Sequence, residues 1–404
     1  MTYIFNYFKK FVNVGMGKVL SIASNFLLLF IITNSFTIKD SGFIFLTFSV
    51  VSFLIFVSRF GQDQLIVKYN NTLIGNKNLD VSFSIVLIVS TLCFLATMLL
   101  LKFNLFYVSI DSFSWIFISV IPLSCSWVLI GYFRSNNLQF LANFSENGVF
   151  QFLLVLFLVF IPKTLHNLYL SYVFFGFLSF IILLLLSFKI GLLLKFSLKN
   201  SLNNFRTGFK IMSSSLLSFL ILNIPIYIAG LLNIIDDITL YNVCLKVSLL
   251  VNIGLAIFNS LYSPKYAKSF IDNDYKSLRK LYNQARLELV LFSLFPLIIV
   301  LIFPYFILDF FNLQSDNAFV LRCFVLCQFL CVSTGTTGVF LNIVDKESLL
   351  QRNTLIGLVI SLLFSIFLIY FKNIYFMFSM FAIGVLLENF LSYFSVKNLL
   401  NEKI

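Results

Sequence analysis

The chain has 404 residues, of which 60% are hydrophobic and 11% are charged, and its formal net charge is +12. A mean hydropathy of +1.00 excludes an ordinary soluble domain, in which about a quarter of the residues are charged. A transmembrane barrel is excluded as well, because its strands would be short and would alternate polar with apolar residues. The composition therefore predicts an all-α, polytopic membrane protein.

The apolar residues come in blocks of about 17–25, which is the length that crosses a hydrocarbon core of about 30 Å as a helix. We predict twelve membrane spans, near residues 14–36, 42–60, 81–102, 113–133, 145–161, 168–188, 208–233, 238–262, 288–308, 318–342, 354–371 and 374–395. Six spans precede a basic connector and six follow it. This division predicts a six-helix bundle at 1–190, a linker at 191–207 and a second six-helix bundle at 208–404, as in many transporters with repeated halves.

The positive charges show which side of the membrane each connector occupies. With the N-terminus inside, the inner segments hold nineteen of the 28 Lys and Arg residues and the outer loops hold four. The positive-inside rule therefore predicts a cytoplasmic (inner) membrane location with both termini in the cytoplasm. Topology and attraction to anionic lipid account for the net charge without a nucleic-acid partner. The charged connector at 263–287 is expected to lie along the membrane surface as an amphipathic segment.

The sequence offers no obvious set of catalytic residues. Its single histidine, His166, falls in a short outer loop, and no phosphate-binding loop or nucleophile elbow is present in the sequence. Cys323, Cys327 and Cys331 are spaced at i, i+4 and i+8 and could hold a soft metal, but without a nearby histidine they are better interpreted as small apolar packing residues. We predict no catalytic residue, no metal site and no cofactor.

Ionisable and polar residues inside the spans are the candidate functional groups, because they are costly in a bilayer. Lys18 and Asn25 share one face of the first span. Arg59 and Asp63, at the end of the second span, can pair at i and i+4, and Arg322 lies near the outer end of the tenth span. The alternative is that Lys18, Arg59 and Arg322 extend to the membrane surface and act as anchors.

The eighth predicted span carries the deepest charge. Lys246 lies about 12 Å into it at 1.5 Å rise per residue. The same span has a polar stripe, within roughly 20° of one line at about 100° per residue, formed by Tyr241, Ser248, Asn252 and Asn259. Because Lys246 falls about 140° from that line, one of the two is expected to line a path while the other packs between helices.

Two segments, RFGQDQLIVKYN and ITLYNVCLKVSLL…NSLYSPKYAK, resemble the Wzx-type polysaccharide flippases, which belong to the superfamily that includes the MATE drug exporters. The matching residues are Gly61, Asp63 and Lys68 at the end of the second span, and Tyr241, Lys246 and Pro264 in the eighth. The twelve-span plan with its mid-chain linker fits the whole chain.

This resemblance implies two six-helix bundles around a central cavity that opens alternately to each side. The cargo would be an oligosaccharide repeat unit on a polyprenyl pyrophosphate, moved from the cytoplasmic to the outer leaflet for O-antigen or capsule synthesis. The implied partners are this glycan, membrane lipids, and the polymerase and chain-length machinery of the same pathway. Coupling to a proton or sodium gradient is implied too, although Glu388 is expected to be interfacial and no buried carboxylate stands out as an ion site.

The charge balance agrees with a pyrophosphate cargo, because an anion needs fixed cations to cross a low-dielectric core. The candidates include Lys18, Arg59, Lys246 and Arg322 against one acid, Asp63. Two alternatives remain. A MATE-like cation-coupled exporter of small molecules would share the architecture but would need an acid deep in a bundle, and a membrane O-antigen polymerase would be expected to have a large, arginine-bearing outer loop.

Overall fold

The computed structural model describes residues 2–69, 75–102, 114–136, 138–146, 148–192, 195–197 and 201–402. Within these ranges all the regular structure is helical, as expected where a bilayer offers the backbone no hydrogen-bond partners. Ten helices are long and apolar enough to cross a membrane, and the number rises to twelve if each of two bent pairs is one span. The predicted all-α membrane fold is confirmed.

The helices of the first half follow the predicted spans closely. They are α1 (Thr2–Ser35), α2 (Ile38–Arg59), α3 (Gln62–Tyr69), α4 (Gly75–Lys102), α5 (Val120–Ser135), α6 (Gln139–Ser145), α7 (Gly148–Phe160), α8 (Leu165–Lys189) and α9 (Ser201–Leu231). A short 3-10 helix at Ser114–Ser119 leads into α5. The predicted fifth span, 145–161, corresponds to α7, which follows α6 at a bend of 49°.

The second half contains more helices than predicted spans, because some spans are divided into shorter helices. They are α10 (Ile235–Ser248), α11 (Ile253–Ile271), α12 (Tyr275–Ile302), α13 (Pro304–Phe310), α14 (Ala318–Ser333), α15 (Thr337–Ile343), α16 (Glu347–Phe371) and α17 (Ile374–Glu402). A 3-10 turn at Leu249–Asn252 joins α10 to α11, and another at Ser315–Asn317 precedes α14.

The chain divides into two compact units, unit 1 up to Leu216 and unit 2 from Leu217. The division falls inside α9, and the linker predicted at 191–207 stays a prediction. Within that predicted linker, residues 193, 194 and 198–200 lie outside the described residues, and the part from Ser201 onwards already belongs to α9.

In unit 1 the most deeply buried helix is α5, which packs against α2, α3, α4 and α8. Most of its side chains are buried, including Val128, Leu129 and Phe133, as its continuous apolar sequence predicts for a helix surrounded by others. The helix α1 packs instead on α6 and α7. Gly17 permits this approach, since a Cβ there would lie 2.6 Å from the carbonyl oxygen of Phe140.

In unit 2 the most extensive helix pair is α16 with α17. A Cβ on Gly357 would lie 2.6 Å from the carbonyl oxygen of Gly384, so the two backbones touch at this point. Around it, the Ser361 hydroxyl donates to the carbonyl of Met380, and the Asn353 amide donates to Ser392. Small residues and interhelical hydrogen bonds are the features that bring membrane helices into close contact.

Two predicted spans of unit 2 are interrupted helices. The predicted eighth span is α10 and α11 with a 3-10 turn between them, and the tenth is α14 and α15 with a break at 334–336, where Gly335 has φ +89°. At this second break the Tyr282 hydroxyl donates to the carbonyl of Thr334, and Arg286 Nε donates to the carbonyl of Ser333. The freed backbone groups are thus satisfied by side chains of α12, as irregular backbone at membrane depth requires.

The connector at 263–287 differs from the prediction of a segment lying along the membrane surface. The helices α11 and α12 extend through it and form a hairpin that turns at Asn273, which has φ +53°. Tyr262 and Tyr266 are buried in the same apolar cluster as Tyr282, so apolar packing between the helices decides the conformation. Hydrogen bonds from the Ser277 side chain and amide lower the pKa of Asp274, which caps α12.

Candidate functional site

The predicted motif at the end of the second span forms a tight turn between α2 and α3. Phe60 has φ +50° and Gly61 has φ +67°, so the chain reverses in two residues before α3 begins. A side chain at Gly61 would be strained by this backbone, and its Cβ would lie 2.5 Å from the carbonyl oxygen of Gly208. Lys68, the third residue of the motif, belongs to α3, and its side chain lies outside the described residues.

The turn places Arg59 and Asp63 inside unit 1, where 8% and 3% of these residues are exposed. Arg59 Nη1 lies 3.6 Å from Asp63 Oδ2, so the predicted i, i+4 pairing is present as an ion pair. Close packing holds Asp63 in place, because a Cβ on Gly131 of α5 would lie 2.6 Å from its carbonyl oxygen.

Aromatic rings surround the rest of the Arg59 guanidinium. Its Cζ lies 3.7 Å from the centroid of the Phe56 ring and 4.5 Å from that of Trp127, both cation–π distances. The ion pair with Asp63 is too long for a hydrogen bond, and within the described residues the guanidinium donates none. Asp63 Oδ1 is also buried, and it has no hydrogen-bond partner among the described residues. Arg59 therefore keeps unused donors inside the bundle.

Lys18 lies on α1 and joins a second group of charges. Its ammonium lies 2.6 Å from Glu146, at the end of α6, and Arg134, at the end of α5, forms an ion pair with the same carboxylate. These three side chains are partly buried. Arg134 also interacts electrostatically with Asp63 and Arg59. We therefore call these five side chains the unit 1 charge cluster, which contains three cations and two carboxylates: Lys18, Arg59, Asp63, Arg134 and Glu146.

The other polar candidate on α1, Asn25, is half-buried seven residues beyond Lys18. It does not belong to the unit 1 charge cluster. Two members of that cluster, Arg134 and Glu146, were not among the predicted site residues. In the sequence, Arg134 is one of several basic residues at the end of a span, and nothing distinguishes it from the others. Glu146 lies 128 residues from Lys18, so no local sequence pattern indicates that these two residues pair.

In unit 2, Lys246 is half-buried near the end of α10. No carboxylate lies within ion-pair distance of its ammonium among the residues that the structure describes. The preceding residues of α10 include Tyr241, Cys244 and Leu245, which are buried. Lys246 is thus a charged residue of the second bundle without a neutralising partner in the described residues.

The predicted polar stripe does not form one line, because the 3-10 turn at Leu249–Asn252 changes the angle per residue within it. Tyr241 and Ser248 are fully buried, and the Tyr241 hydroxyl donates to the carbonyl of Leu222. Both pack between helices and do not line a path.

The C-terminal part of the stripe, Asn252 and Asn259, has unsatisfied polar atoms. The Asn252 amide donates to Gln328 of α14, and the Ser293 hydroxyl donates to the carbonyl of Val251, so neighbouring helices hold the 3-10 turn. The side-chain oxygens of Asn252 and Asn259 are buried and lack a hydrogen-bond partner within the described residues. These two residues remain candidates for contact with a polar cargo.

Arg322 lies in the second turn of α14 and is half-buried. Its guanidinium carbon lies 5.5 Å from the centroid of the Tyr305 ring, and this ring is 53% exposed. Within the described chain this contact is the only partner found for the guanidinium. Its surroundings resemble those of a residue at the edge of the bundle more than those of Arg59.

The last span contains a carboxylate whose surroundings the sequence did not predict. Glu388 of α17 accepts hydrogen bonds from the Ser218 hydroxyl of α9, at 2.8 Å, and from the Thr354 hydroxyl of α16, at 3.0 Å. It is half-buried inside the span Ile374–Asn401. Three helices of unit 2 thus meet at its side chain, and its interfacial position stays a prediction.

No protein-family model matches this sequence, and a search of curated proteins found no match either. Solved structures do match. A MATE family multidrug resistance transporter in its inward-facing conformation superposes with a TM-score of 0.68 at 13% identity, over 98% of both chains. The chain has the fold of the MATE transporters.

Two further structures agree. The outward-facing conformation of a MATE family transporter gives a TM-score of 0.69 at 12% identity, over 98% of this chain and 96% of the other. A variant of the Vibrio cholerae MATE transporter VcmN gives 0.69 at 13% identity with the same coverage. The MATE fold therefore extends over nearly the whole sequence, and the closer resemblance to Wzx-type flippases stays a prediction.

Proposed function

We propose that this protein is a membrane flippase that moves a polyprenyl-pyrophosphate-linked oligosaccharide from the cytoplasmic to the outer leaflet by alternating access. The unit 1 charge cluster carries the proposal. Within it, Arg59 is buried between two aromatic faces and keeps unused donors. A guanidinium recognises pyrophosphate oxygens through charge and paired hydrogen bonds, and its burial strengthens the attraction.

The composition of the cluster supports an anionic cargo. Its three cations exceed its two carboxylates by one charge, so it attracts anions without carrying the full cost of three unpaired cations in a bilayer. A site for lipophilic cations would show the opposite excess. Unit 2 by itself also offers groups suited to such a cargo, with Lys246 for an anion and the unsatisfied oxygens of Asn252 and Asn259 for sugar hydroxyls.

The proposed location and partners of the protein follow from its predicted topology. The distribution of Lys and Arg supports an inner-membrane protein with both termini in the cytoplasm. Its partners would be the lipid-linked glycan, the surrounding lipids, and the polymerase and chain-length machinery that act on the translocated unit.

A second candidate, a cation-coupled exporter of small molecules, is favoured by Glu388. This carboxylate lies within a span of unit 2, and no cation lies within ion-pair distance of it among the described residues. Such an acid could bind a coupling cation together with a cationic drug.

The deciding experiment follows the lipid-linked repeat unit in cells that lack this protein. Accumulation of intact units in the cytoplasmic leaflet, with loss of surface polysaccharide, is the expected result. Units that reach the outer leaflet but stay unpolymerised would favour the polymerase. An unchanged glycan with altered drug sensitivity would favour the exporter. Restoration by the wild-type gene but not by an Arg59→Met, Asp63→Asn double variant of equal abundance would connect the phenotype to the unit 1 charge cluster.

A further inference from the structure

The hairpin of α11 and α12 carries a group of cations that the proposed transport function does not use. Four basic side chains are exposed on it, and we call them the hairpin cations: Lys268, Lys276, Arg279 and Lys280. Among the described residues the ion pairs lie elsewhere, so none of the four has a carboxylate within ion-pair distance. The two acids of the connector, Asp272 and Asp274, lie at the hairpin turn, where Asp274 caps α12.

The exposed face of α12 changes from basic to apolar along one line. At about 100° per residue, Lys276, Lys280 and Leu287 lie within roughly 40° of one another. Leu287 and Leu291 are 64% and 60% exposed within the apolar span Tyr275–Ile302, as side chains in contact with lipid are. The basic end of α12 therefore lies on the same face as its lipid-facing part.

The hairpin cations begin close to the edge of the apolar face. Lys280 precedes Leu287 by seven residues, which is about 10 Å along the helix axis. The head-group layer occupies about 5–8 Å on each side of the hydrocarbon core, and a lysine side chain can extend toward it. On α11 the side chains lean toward the N-terminus of the helix and so away from the hairpin turn, which directs Lys268 back toward the membrane.

The inner face of the same hairpin holds the helix break at 334–336. Tyr266 and Tyr282 are buried. The Tyr266 hydroxyl forms a hydrogen bond of 2.9 Å with the hydroxyl of Thr336, and the Tyr282 hydroxyl donates to the carbonyl of Thr334 at 2.7 Å. Any ligand that restricts the motion of the hairpin therefore also restricts these contacts with the break.

We propose that the hairpin cations bind anionic phospholipid head groups of the adjoining leaflet and that the bound lipid stabilises the helix break at 334–336. Phosphate oxygens would accept charge-assisted hydrogen bonds from the guanidinium of Arg279 and from the three ammonium groups. The lipid thus supplies the negative charge that these side chains lack among the described residues. Because it binds the hairpin in its folded form, it opposes local opening of the hairpin and of the tyrosine contacts with the break.

The distribution of charge along the hairpin favours a lipid over a soluble acidic partner. An acidic protein or a nucleic acid approaches from water and would first meet the hairpin turn. That turn presents the exposed Asp272 and Asp274, which repel such a partner. The hairpin cations lie instead between the turn and the apolar face, where anionic head groups are concentrated.

Lipid binding can be measured without any transport cargo, so the test is independent of the proposed flippase function. Native mass spectrometry of the purified full-length protein, titrated with phosphatidylglycerol or with phosphatidylcholine, gives the two dissociation constants. We expect phosphatidylglycerol to bind at least about fivefold more tightly, the effect of one cation near a charged membrane surface. Equal binding of the two lipids by wild type would reject the lipid and leave an acidic soluble partner for this surface.

Two variants with equal changes in charge locate the lipid site. Replacing all four hairpin cations by glutamine should abolish the preference for phosphatidylglycerol, and the fold should be retained because these side chains are exposed. The matched control replaces four exposed lysines near the predicted outer side by glutamine and should keep the preference: Lys39, Lys102, Lys163 and Lys372. A hairpin variant with the wild-type preference would overturn the proposal.

The effect on the helix break needs a second measurement. In nanodiscs, adding phosphatidylglycerol to phosphatidylcholine should slow hydrogen exchange of the backbone amides at 334–343 in wild type and in the control, but not in the hairpin variant. The double variant Tyr266→Phe, Tyr282→Phe keeps the hairpin cations, so it should bind phosphatidylglycerol normally and lose the slowing. Lipid binding by wild type without slower exchange, or slowing that persists in the double variant, would reject the stabilisation of the break.

Discussion

At the scale of single residues, Arg59 and Asp63 are each other's only ionic partner among the described side chains. We predict that Arg59→Met strongly reduces the stability and abundance of the protein, because it leaves the buried Asp63 carboxylate unpaired. Removing one partner of a buried pair costs about 3–5 kcal/mol. Thermal unfolding of the detergent-solubilised protein, together with immunoblots of membranes, measures the loss.

The double variant Arg59→Met with Asp63→Asn separates stability from transport. It removes both charges, so abundance should recover to near that of wild type while transport stays low. Recovered transport in the double variant would show that Arg59 serves only to neutralise Asp63, and the pyrophosphate role would be abandoned.

Lys246 should behave differently from Arg59, because the described residues offer it no acid that its loss would leave unpaired. We predict that Lys246→Ala reduces transport at least tenfold while membrane abundance changes little. Lys163→Ala is the control, since this lysine is exposed on a loop. Normal transport by Lys246→Ala would remove the residue from the proposed path.

The sequence was informative at residue scale where partners are close along the chain. The pairing of Arg59 with Asp63 follows from i, i+4 spacing and is present. The pairing of Lys18 with Glu146, and that of Ser218 with Glu388, join residues 128 and 170 positions apart. Such contacts depend on which helices become neighbours, and a single sequence does not contain that information in local form.

At the scale of elements, the long helices were predictable because every backbone polar group in a bilayer must be satisfied within the helix. The interruptions were harder. The break at 334–336 lies in the segment STGTT, where Gly335 and its threonines were an available signal. The 3-10 turn at Leu249–Asn252 lies in an apolar stretch, and it depends on side chains of α12 and α14 that are distant in sequence.

The turn between α2 and α3 provides a test of backbone strain. We predict that Gly61→Ala destabilises unit 1 markedly, because this residue has φ +67° and its new Cβ would lie 2.5 Å from a carbonyl oxygen. Thermal unfolding should show a lower midpoint and membranes should contain less protein.

Gly15→Ala is the matched control in the same unit. A Cβ at Gly15 would meet nothing within 4 Å, and alanine favours a helix by about 1 kcal/mol over glycine. Its unfolding midpoint should be unchanged or higher. Equal behaviour of the two alanine variants would show that the turn tolerates rearrangement and does not fix the position of Asp63.

At the scale of the whole molecule, the two units differ in their charged groups although both belong to one MATE-like fold. Unit 1 contains the charge cluster with its excess of cations, and unit 2 contains Lys246 and Glu388 with no ionic partner among the described residues. The fold was predictable from hydropathy, whereas the kind of cargo depends on these few side chains. The kind of cargo is therefore identified by measuring which ligands the protein binds, and not by its fold.

We predict that a polyprenyl pyrophosphate stabilises the purified protein and that a lipophilic cation of similar size does not. Ligand at about 100 times its dissociation constant adds about 2.7 kcal/mol to the free energy of unfolding, which a thermal-shift measurement detects.

The polyprenyl monophosphate, with less charge, should stabilise less. Added salt should reduce the shift, since salt screens attraction between charges that solvent reaches, and the Arg59→Met, Asp63→Asn double variant should lose most of it. Stabilisation by the cation alone would assign the molecule to the exporters, because the cationic cluster of unit 1 repels such a ligand.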